Sequence, residues 1–322
     1  IWMAGTTLRI TMLGPRGVGK TSLLASMYNE FDVAVKNIGG LTLIPSTETS
    51  RILSERLAEL KRQTEVLSSG YDSSGTGVSG TAVSREFLFE LGLIAKPMEI
   101  KLIFTDFPGG FVAIQPQTVL NFIHEADVMV LAIDAPALME QKGRWHETIN
   151  APRQMTDLLK RALQGRNETK LLLLAPIKCE TYLQSPQQAG ELLATVKDRY
   201  HSLLSFLNAA PLSSRIAVAI TPVQTLGTVR FDRIEKTQDG LKFYFRKISG
   251  QGNYAPMYVE EVLRYTLGFS IKKYLDDLSW FMRLFKLTRP FEDAIRKMAM
   301  ERKEINDGFQ ILQGKDLLNL KH

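Results

Sequence analysis

The chain has 322 residues, 44% of them apolar, which is enough for one large domain or two small ones around a substantial core. Forty Lys and Arg against 34 Asp and Glu leave a formal charge of +6 spread along the chain, so an anionic ligand is permitted and no basic block calls for nucleic acid. The single cysteine, Cys179, excludes an intrachain disulfide, no apolar run of about 18 residues reads as a transmembrane helix, and residues 1–7 lack the basic and apolar regions of a signal peptide, so the expected compartment is the cytoplasm.

Residues 8–13 read as a short buried strand that runs into a glycine-rich turn, and 21–29 as the helix after it. Residues 46–67 form a long amphipathic pattern with Ile52, Leu53, Leu57, Leu60 and Leu67 on one face. The Gly- and Ser-rich stretch 68–84 reads as a mobile loop. Two strands, 85–93 and 99–105, are expected to pair antiparallel across the Ala95-Lys96-Pro97 break. A short helix at 118–126 precedes a continuous apolar strand at 128–133. Helix 152–163, strand 170–175, helix 186–208 and strand 215–220 continue the alternation. The fold class is therefore α/β: a mainly parallel sheet with one antiparallel strand, helices on both faces. Beyond residue 221 the pattern changes to a hairpin (228–235 with 241–248), helical stretches at 254–274 and 280–300, and a polar tail at 301–322 expected to fray. The chain is accordingly divided into a nucleotide-binding domain, 1–225, with an insert at about 32–83, and an extension, 226–322, packed on it.

Gly14-Pro15-Arg16-Gly17-Val18-Gly19-Lys20-Thr21 matches G-x-x-x-x-G-K-[ST] in the strand-to-helix setting that motif needs. Its glycines let backbone N–H groups turn inward around phosphates, and the helix start adds partial positive charge. Residues Gly14 to Ser22 are thus the expected phosphate cradle, with Lys20 as a point charge on the β- and γ-phosphates and the Thr21 hydroxyl as a Mg²⁺ ligand. The second anchor is Asp106-Phe107-Pro108-Gly109 at the end of a strand, where Asp106 is placed to hold Mg²⁺ and the Gly109 N–H to meet a γ-phosphate.

A P-loop paired with a strand-terminal D-x-x-G resembles the translation-factor-related class of GTPases, over residues 8–225. The resemblance implies GTP/GDP and Mg²⁺ as cofactors, and a loop threonine closing on Mg²⁺ ahead of strand 85–93. Thr76 and Thr81 stand there, and Thr81, nearer the strand, is the candidate; both also fit as ordinary loop threonines. That class reads guanine through [NT]-K-x-D. Here the matching place holds Ile177-Lys178-Cys179-Glu180, so Lys178 is expected to stack its stem on a purine and Glu180 to accept from guanine. The Asn or Thr is missing, which leaves adenine open. The cluster around Lys178 to Glu180, the Asp-Phe-Pro-Gly-Gly turn and the long insert resemble bacterial double-GTPase proteins of multi-gene conflict systems. This resemblance implies a GTP-driven switch that acts with protein partners, in defence against phage.

The water-positioning Gln of Ras-like enzymes falls on Gly110, with Gln115 and Gln117 nearby, so slow or partner- or homodimer-dependent hydrolysis is expected, or none. Arg16 is a candidate arginine finger in cis. The four histidines are too dispersed for a metal set. Residues 278–291, with Trp280, Phe281 and Phe285 among Arg283, Lys286 and Arg289, read either as a stripe packed on the protein or as a surface for a membrane or partner.

Overall fold

The computed structural model describes residues 6–15, 17–35, 40–68, 73–74, 84–238, 240–248, 254–277 and 289–319. Strand β1 (Thr6–Leu13) passes through the glycine-rich turn into α1 (Lys20–Ala34), and β2 (Leu41–Pro45) and α2 (Thr47–Ser68) follow. The Ser46 hydroxyl caps α2 by accepting from the Thr49 N–H at 3.3 Å, and Thr49 in turn accepts from the Leu88 N–H at 2.9 Å. A two-residue strand, β3 (Ser73–Ser74), lies in the Gly- and Ser-rich stretch, whose other residues between 69 and 83 fall outside the described ones. Strands β4 (Arg85–Leu93) and β5 (Met98–Asp106) pair antiparallel, with Arg85 opposite Asp106.

Next come α3 (Phe111–Ile114), α4 (Pro116–Glu125), β6 (Val128–Asp134), α5 (Ala135–Met139), α6 (His146–Asn150), α7 (Pro152–Leu163) and β7 (Lys170–Ile177). The stretch 186–208, expected to be one helix, is two: α8 (Pro186–Arg199) and α9 (His201–Asn208). They break at Tyr200, whose ψ of 15° leaves the helical range while its ring is fully buried. Strand β8 (Ile216–Ile220) is followed by a hairpin, β9 (Val229–Thr237) with β10 (Gly240–Lys247), then by α10 (Val259–Asp277) and α11 (Arg289–Met300). The tail expected to fray is instead ordered: β11 (Ile305–Asn306) and β12 (Phe309–Gln313) join the main sheet, and Phe309 and Leu318 are buried. The edge of β8 receives the backbone of the segment, and Phe309 and Leu318 anchor it in the core.

Among the described residues the main sheet has nine strands in the order β11-β12-β8-β7-β6-β1-β5-β4-β2. The five central strands, β8 to β5, are parallel. The antiparallel β4 expected beside them is present, and β2, β12 and β11 extend the edges in the same antiparallel sense. Side chains alternate between the two faces with the two-residue period of a strand. On β7, Leu171, Leu173 and Ala175 face a core shared with α1, α10 and α11, whereas Leu172 and Leu174 face one shared with α4, α7, α8 and α9. Cover on both faces explains why these strands read as unbroken apolar runs. The order also brings the carboxyl ends of β1, β5, β6, β7 and β8 to one edge, the place where open α/β sheets hold ligands.

His146, on α6, braces that edge from behind. Its Nδ1 lies 3.0 Å from Asn150 Nδ2, and Asn150 bonds both the N–H (2.7 Å) and the C=O (3.1 Å) of Asp134 at the end of β6. Burial, reinforced by the Arg199 charge, pulls the His146 pKa down from 6.5 to about 4. Between those values the unfolded chain binds a proton that the folded chain refuses, so stability is full above 6.5 and is lost as pH falls through that window. Urea-unfolding midpoints should therefore decline from about pH 7 to about pH 4, and His146→Leu should remove part of the decline. An unchanged slope in the variant would count against His146 as its source.

Candidate functional site

The turn between β1 and α1 has the shape of a cradle because two glycines let it come close to its neighbours. Gly14 has φ +133°, and a Cβ there would stand 2.8 Å from the Ala132 carbonyl oxygen on β6. Gly19 has φ +118°, and its Cβ would meet Ile177 Cδ1, at the end of β7, at 2.8 Å. Only glycine satisfies both the backbone angle and the space. Ile177, at the end of β7, is thereby brought against the turn.

Helix α1 begins at Lys20, whose side chain is buried. Its Nζ donates to the carbonyls of Gly14 (2.9 Å) and Pro15 (3.2 Å), and it stands 6.0 Å from the centre of the Phe107 ring. Burial lowers its pKa, and the nearby Asp106 charge works against that. Next along the helix, the Thr21 hydroxyl donates to Asp106 Oδ2. Asp106 ends β5 with no exposed surface, beside Met12 of β1 in register. Phe107, also buried, stacks on Phe122 of α4 (5.7 Å between centres, 24° between planes), and Pro108 is buried behind it. The D-x-x-G turn is thus pinned by an aromatic pair, which leaves Gly109 half-buried and Gly110 exposed at the mouth. Val18 and Ser22 are buried on either side of Lys20, Pro15 is half-buried and Gly17 exposed.

The turn after β7 is arranged differently from the sequence expectation. Lys178 takes a left-handed conformation (φ +61°), and its Nζ lies 2.5 Å from Asp134 Oδ2. Asp134 at the same time caps α5, accepting from the Ala137 N–H at 2.9 Å. Glu180, expected to face a base, is buried, and its Oε1 accepts from the N–H groups of Leu226 (2.7 Å) and Gly227 (3.1 Å). Burial raises its pKa, and those backbone donors restrain the rise. Cys179 is buried too, its thiol directed at the Pro176 carbonyl (3.2 Å), and burial raises its pKa, so it is a packed thiol and not a reactive one.

The structure therefore brings together Gly14, Val18, Gly19, Lys20, Thr21, Ser22 and Asp106, with Gly109 at the same turn and Lys178 and Glu180 on the neighbouring strand end. Arg16, Thr76 and Thr81 lie outside the described residues, as does most of the aromatic segment 278–291; of it, Phe291 is buried on α11. Gln117 is exposed and donates to Asn121 at 3.1 Å, and Gln115 is exposed just before α4. The sequence reading missed Asp134 and the Leu226–Gly227 backbone; it offers Phe243 and Tyr244 of the hairpin as a docking edge or a cover for the sheet, but not the placement of the Phe243 ring centre 5.8 Å from Lys178 Nζ. Asp134 had a signal, a carboxylate ending a fully apolar strand; the Leu226–Gly227 backbone had none.

Oxygen donors from Thr21 and Asp106 beside a buried ammonium form a hard, phosphate-type site. Among the described residues no group of three or more His, Cys, Asp or Glu side chains is placed to hold a metal by itself. One hydroxyl and one carboxylate suit Mg²⁺, which takes few protein ligands and completes its shell with water and phosphate oxygens. None of the helices in the described residues is long and apolar enough to cross a membrane.

No protein-family model matches the chain, and no curated protein matches it. Among solved structures it is similar to the Ski7 GTPase-like domain of S. cerevisiae bound to GDP and inorganic phosphate: 17% identity, covering 69% of this chain and 44% of that one, TM-score 0.39. It is also similar to a chain of the signal recognition particle receptor SRb-GTP/SRX complex from Chaetomium thermophilum (17% identity, 70% and 93%, TM-score 0.37). A third is Sup35 complexed with GDP (14% identity, 69% and 38%, TM-score 0.33). The chain thus spans less than half the length of the Ski7 and Sup35 chains.

The close approach at Gly19 can be checked directly. Gly19→Ala should lower stability by roughly 1–3 kcal/mol, the cost of a side chain held at a strained backbone angle, with the Ile177 clash added. A urea midpoint equal to that of the unaltered chain would mean that the turn does not hold this shape.

Proposed function

We propose that this chain is a Mg²⁺-dependent GTP-binding and GTP-hydrolysing molecular switch. The observation that carries this reading is the cluster of buried Lys20, Thr21 and Asp106 at the mouth of the glycine turn, where the Thr21 hydroxyl meets the Asp106 carboxylate. Backbone N–H groups of the turn and the start of α1 cradle the α- and β-phosphates. Lys20 is the charge on the β- and γ-phosphates, able to exchange the carbonyls of Gly14 and Pro15 for phosphate oxygens. Thr21 and Asp106 are the groups that would hold Mg²⁺, which neutralises charge on the phosphate oxygens when bound. Gly109 offers its N–H to the γ-phosphate. At the base end, Lys178 lends its stem and Glu180 its second carboxylate oxygen, Oε1 being held by Leu226 and Gly227.

The place where a water-positioning side chain stands in Ras-like enzymes is Gly110, and the exposed Gln115 and Gln117 are turned to the surface. Turnover is therefore slow in the isolated chain and rises with a partner or in a homodimer. Arg16 and Thr81 are the residues we assign to γ-phosphate charge and to closure over Mg²⁺. Acting with protein partners in bacterial conflict with phage, in the cytoplasm, is the setting that the motif resemblance favours.

A second reading has its own observation. Glu180 already accepts from Leu226 and Gly227, which favours an ATPase, or a nucleotide-bound scaffold, in which the base is not read by that carboxylate. Competition of GTP and ATP analogues, with and without Mg²⁺, separates GTPase from ATPase, and measurable turnover abolished by Lys20→Ala separates either from the scaffold. The GTPase reading expects tight, Mg²⁺-assisted GTP binding with ATP far weaker, and equal or ATP-favoured binding moves the protein to the second.

Lys20→Ala should weaken triphosphate binding by roughly 10- to 150-fold, the worth of a lost hydrogen-bonded charge. Asp106→Ala should remove the Mg²⁺ dependence and abolish turnover. Normal binding by Lys20→Ala, measured by calorimetry, would refute the phosphate site itself.

A further inference from the structure

We infer that the β9–β10 hairpin is the outer wall of the base end of the nucleotide site, and that Phe243 is the side chain that stacks on the base. This rests on the reading of Lys178 as a base-flanking residue given above.

Lys178 Nζ is committed to Asp134, so the part of the side chain left for a purine is its aliphatic stem. The centre of the Phe243 ring lies 5.8 Å from that same Nζ, and the ring is only half-buried. A planar base laid on the Lys178 stem therefore has an aromatic face beside it, supplied by a segment far along the chain. The hairpin is also held at this spot and does not merely pass by. Glu180 accepts from Leu226 and Gly227 at the hairpin's approach, the Thr181 hydroxyl accepts from the Phe231 N–H at 3.0 Å, and Arg230 donates to Gln184 Oε1. The three residues that make these bonds, Glu180, Thr181 and Gln184, follow Lys178 within six positions. Within the hairpin Phe231 meets Phe245 edge-on, 6.0 Å apart, while Phe243 stands opposite Ile234 and stays only half-buried.

Stacking is tolerant of base identity because every base presents a π-face. Phe243 accordingly adds affinity for GTP and ATP alike, whereas discrimination between them belongs to hydrogen-bonding groups in the same turn. This division of labour makes the role testable apart from guanine selection.

The experiment is competition of GTP, ATP and inorganic triphosphate against a fluorescent GTP analogue, with the full chain and with Phe243→Ala and Phe243→Tyr. Phe243→Ala should weaken GTP and ATP by about tenfold each, within the range found for base–aromatic stacking. Inorganic triphosphate, which has no base, should bind Phe243→Ala unchanged, and Phe243→Tyr should restore nucleotide affinity. Unchanged GTP affinity in Phe243→Ala overturns the proposal, and so does an equal loss for inorganic triphosphate, which would mark damage to the fold. If the unaltered chain binds no triphosphate, the proposed function falls and this inference with it. Binding that depends on Lys20 but not on Phe243 sinks only the inference.

Discussion

An ammonium almost wholly withdrawn from water has to be answered by something, and the answer given to Lys20 governs how the rest of this molecule is arranged. Two carbonyls of its own turn and the carboxylate of Asp106 on the adjacent strand compensate its desolvation. The carbonyls face inward only because Gly14 and Gly19 let the turn close on β6 and β7. The carboxylate is in reach only because β5 lies directly beside β1 in the sheet. Strand order, glycine placement and the start of α1 are thus conditions on a single charge, and a phosphate chain is the ligand that this charge and its surroundings fit.

The same economy extends to the turn after β7, where polar groups of residues 178–184 are spent on the chain beyond β8. Glu180 and Thr181 hold backbone N–H groups there, and the Tyr254 hydroxyl donates to Ser26 on α1 at 2.6 Å. Helix α10 packs on the face that α1 occupies, and β12 pairs with β8. Residues after 225 are therefore load on the same core as those before it: Val262, Phe269, Phe291 and Met298 are as deeply buried as Ile10.

What could be read from the residues was whatever is local. The P-loop, the strand-terminal Asp106 and the parallel apolar strands announce themselves within a few positions, because glycine spacing and unbroken apolar runs have one physical meaning in that order. Contacts across the sheet were illegible. Lys178 finds Asp134, 44 positions away, only because β6 and β7 are neighbours. Glu180 looks like a base acceptor on its motif, yet backbone donors from a loop without any motif hold it. The break at Tyr200 was hidden since a buried tyrosine fits a helix as well as it fits an end. Strand β12 was hidden because only Phe309 of its residues is buried, which gives no period to detect.

Strand β3 has a consequence in time as well as in space. Ser73 and Ser74 pair with Phe245 and Tyr244 of β10, forming with β9 a separate three-stranded sheet. A ribosome delivers β3 and the glycine turn early and their partners much later: Ser74 and Tyr244 are 170 positions apart (244 − 74), and Ser26 and Tyr254 are 228 apart. At elongation rates of about 5–20 residues per second, that interval lasts on the order of ten seconds or more. For that time the emerging chain holds its glycine turn without the strand that pairs with β3. The insert is thus fastened in two steps: β2 and α2 against β4 first, and β3 when the hairpin arrives.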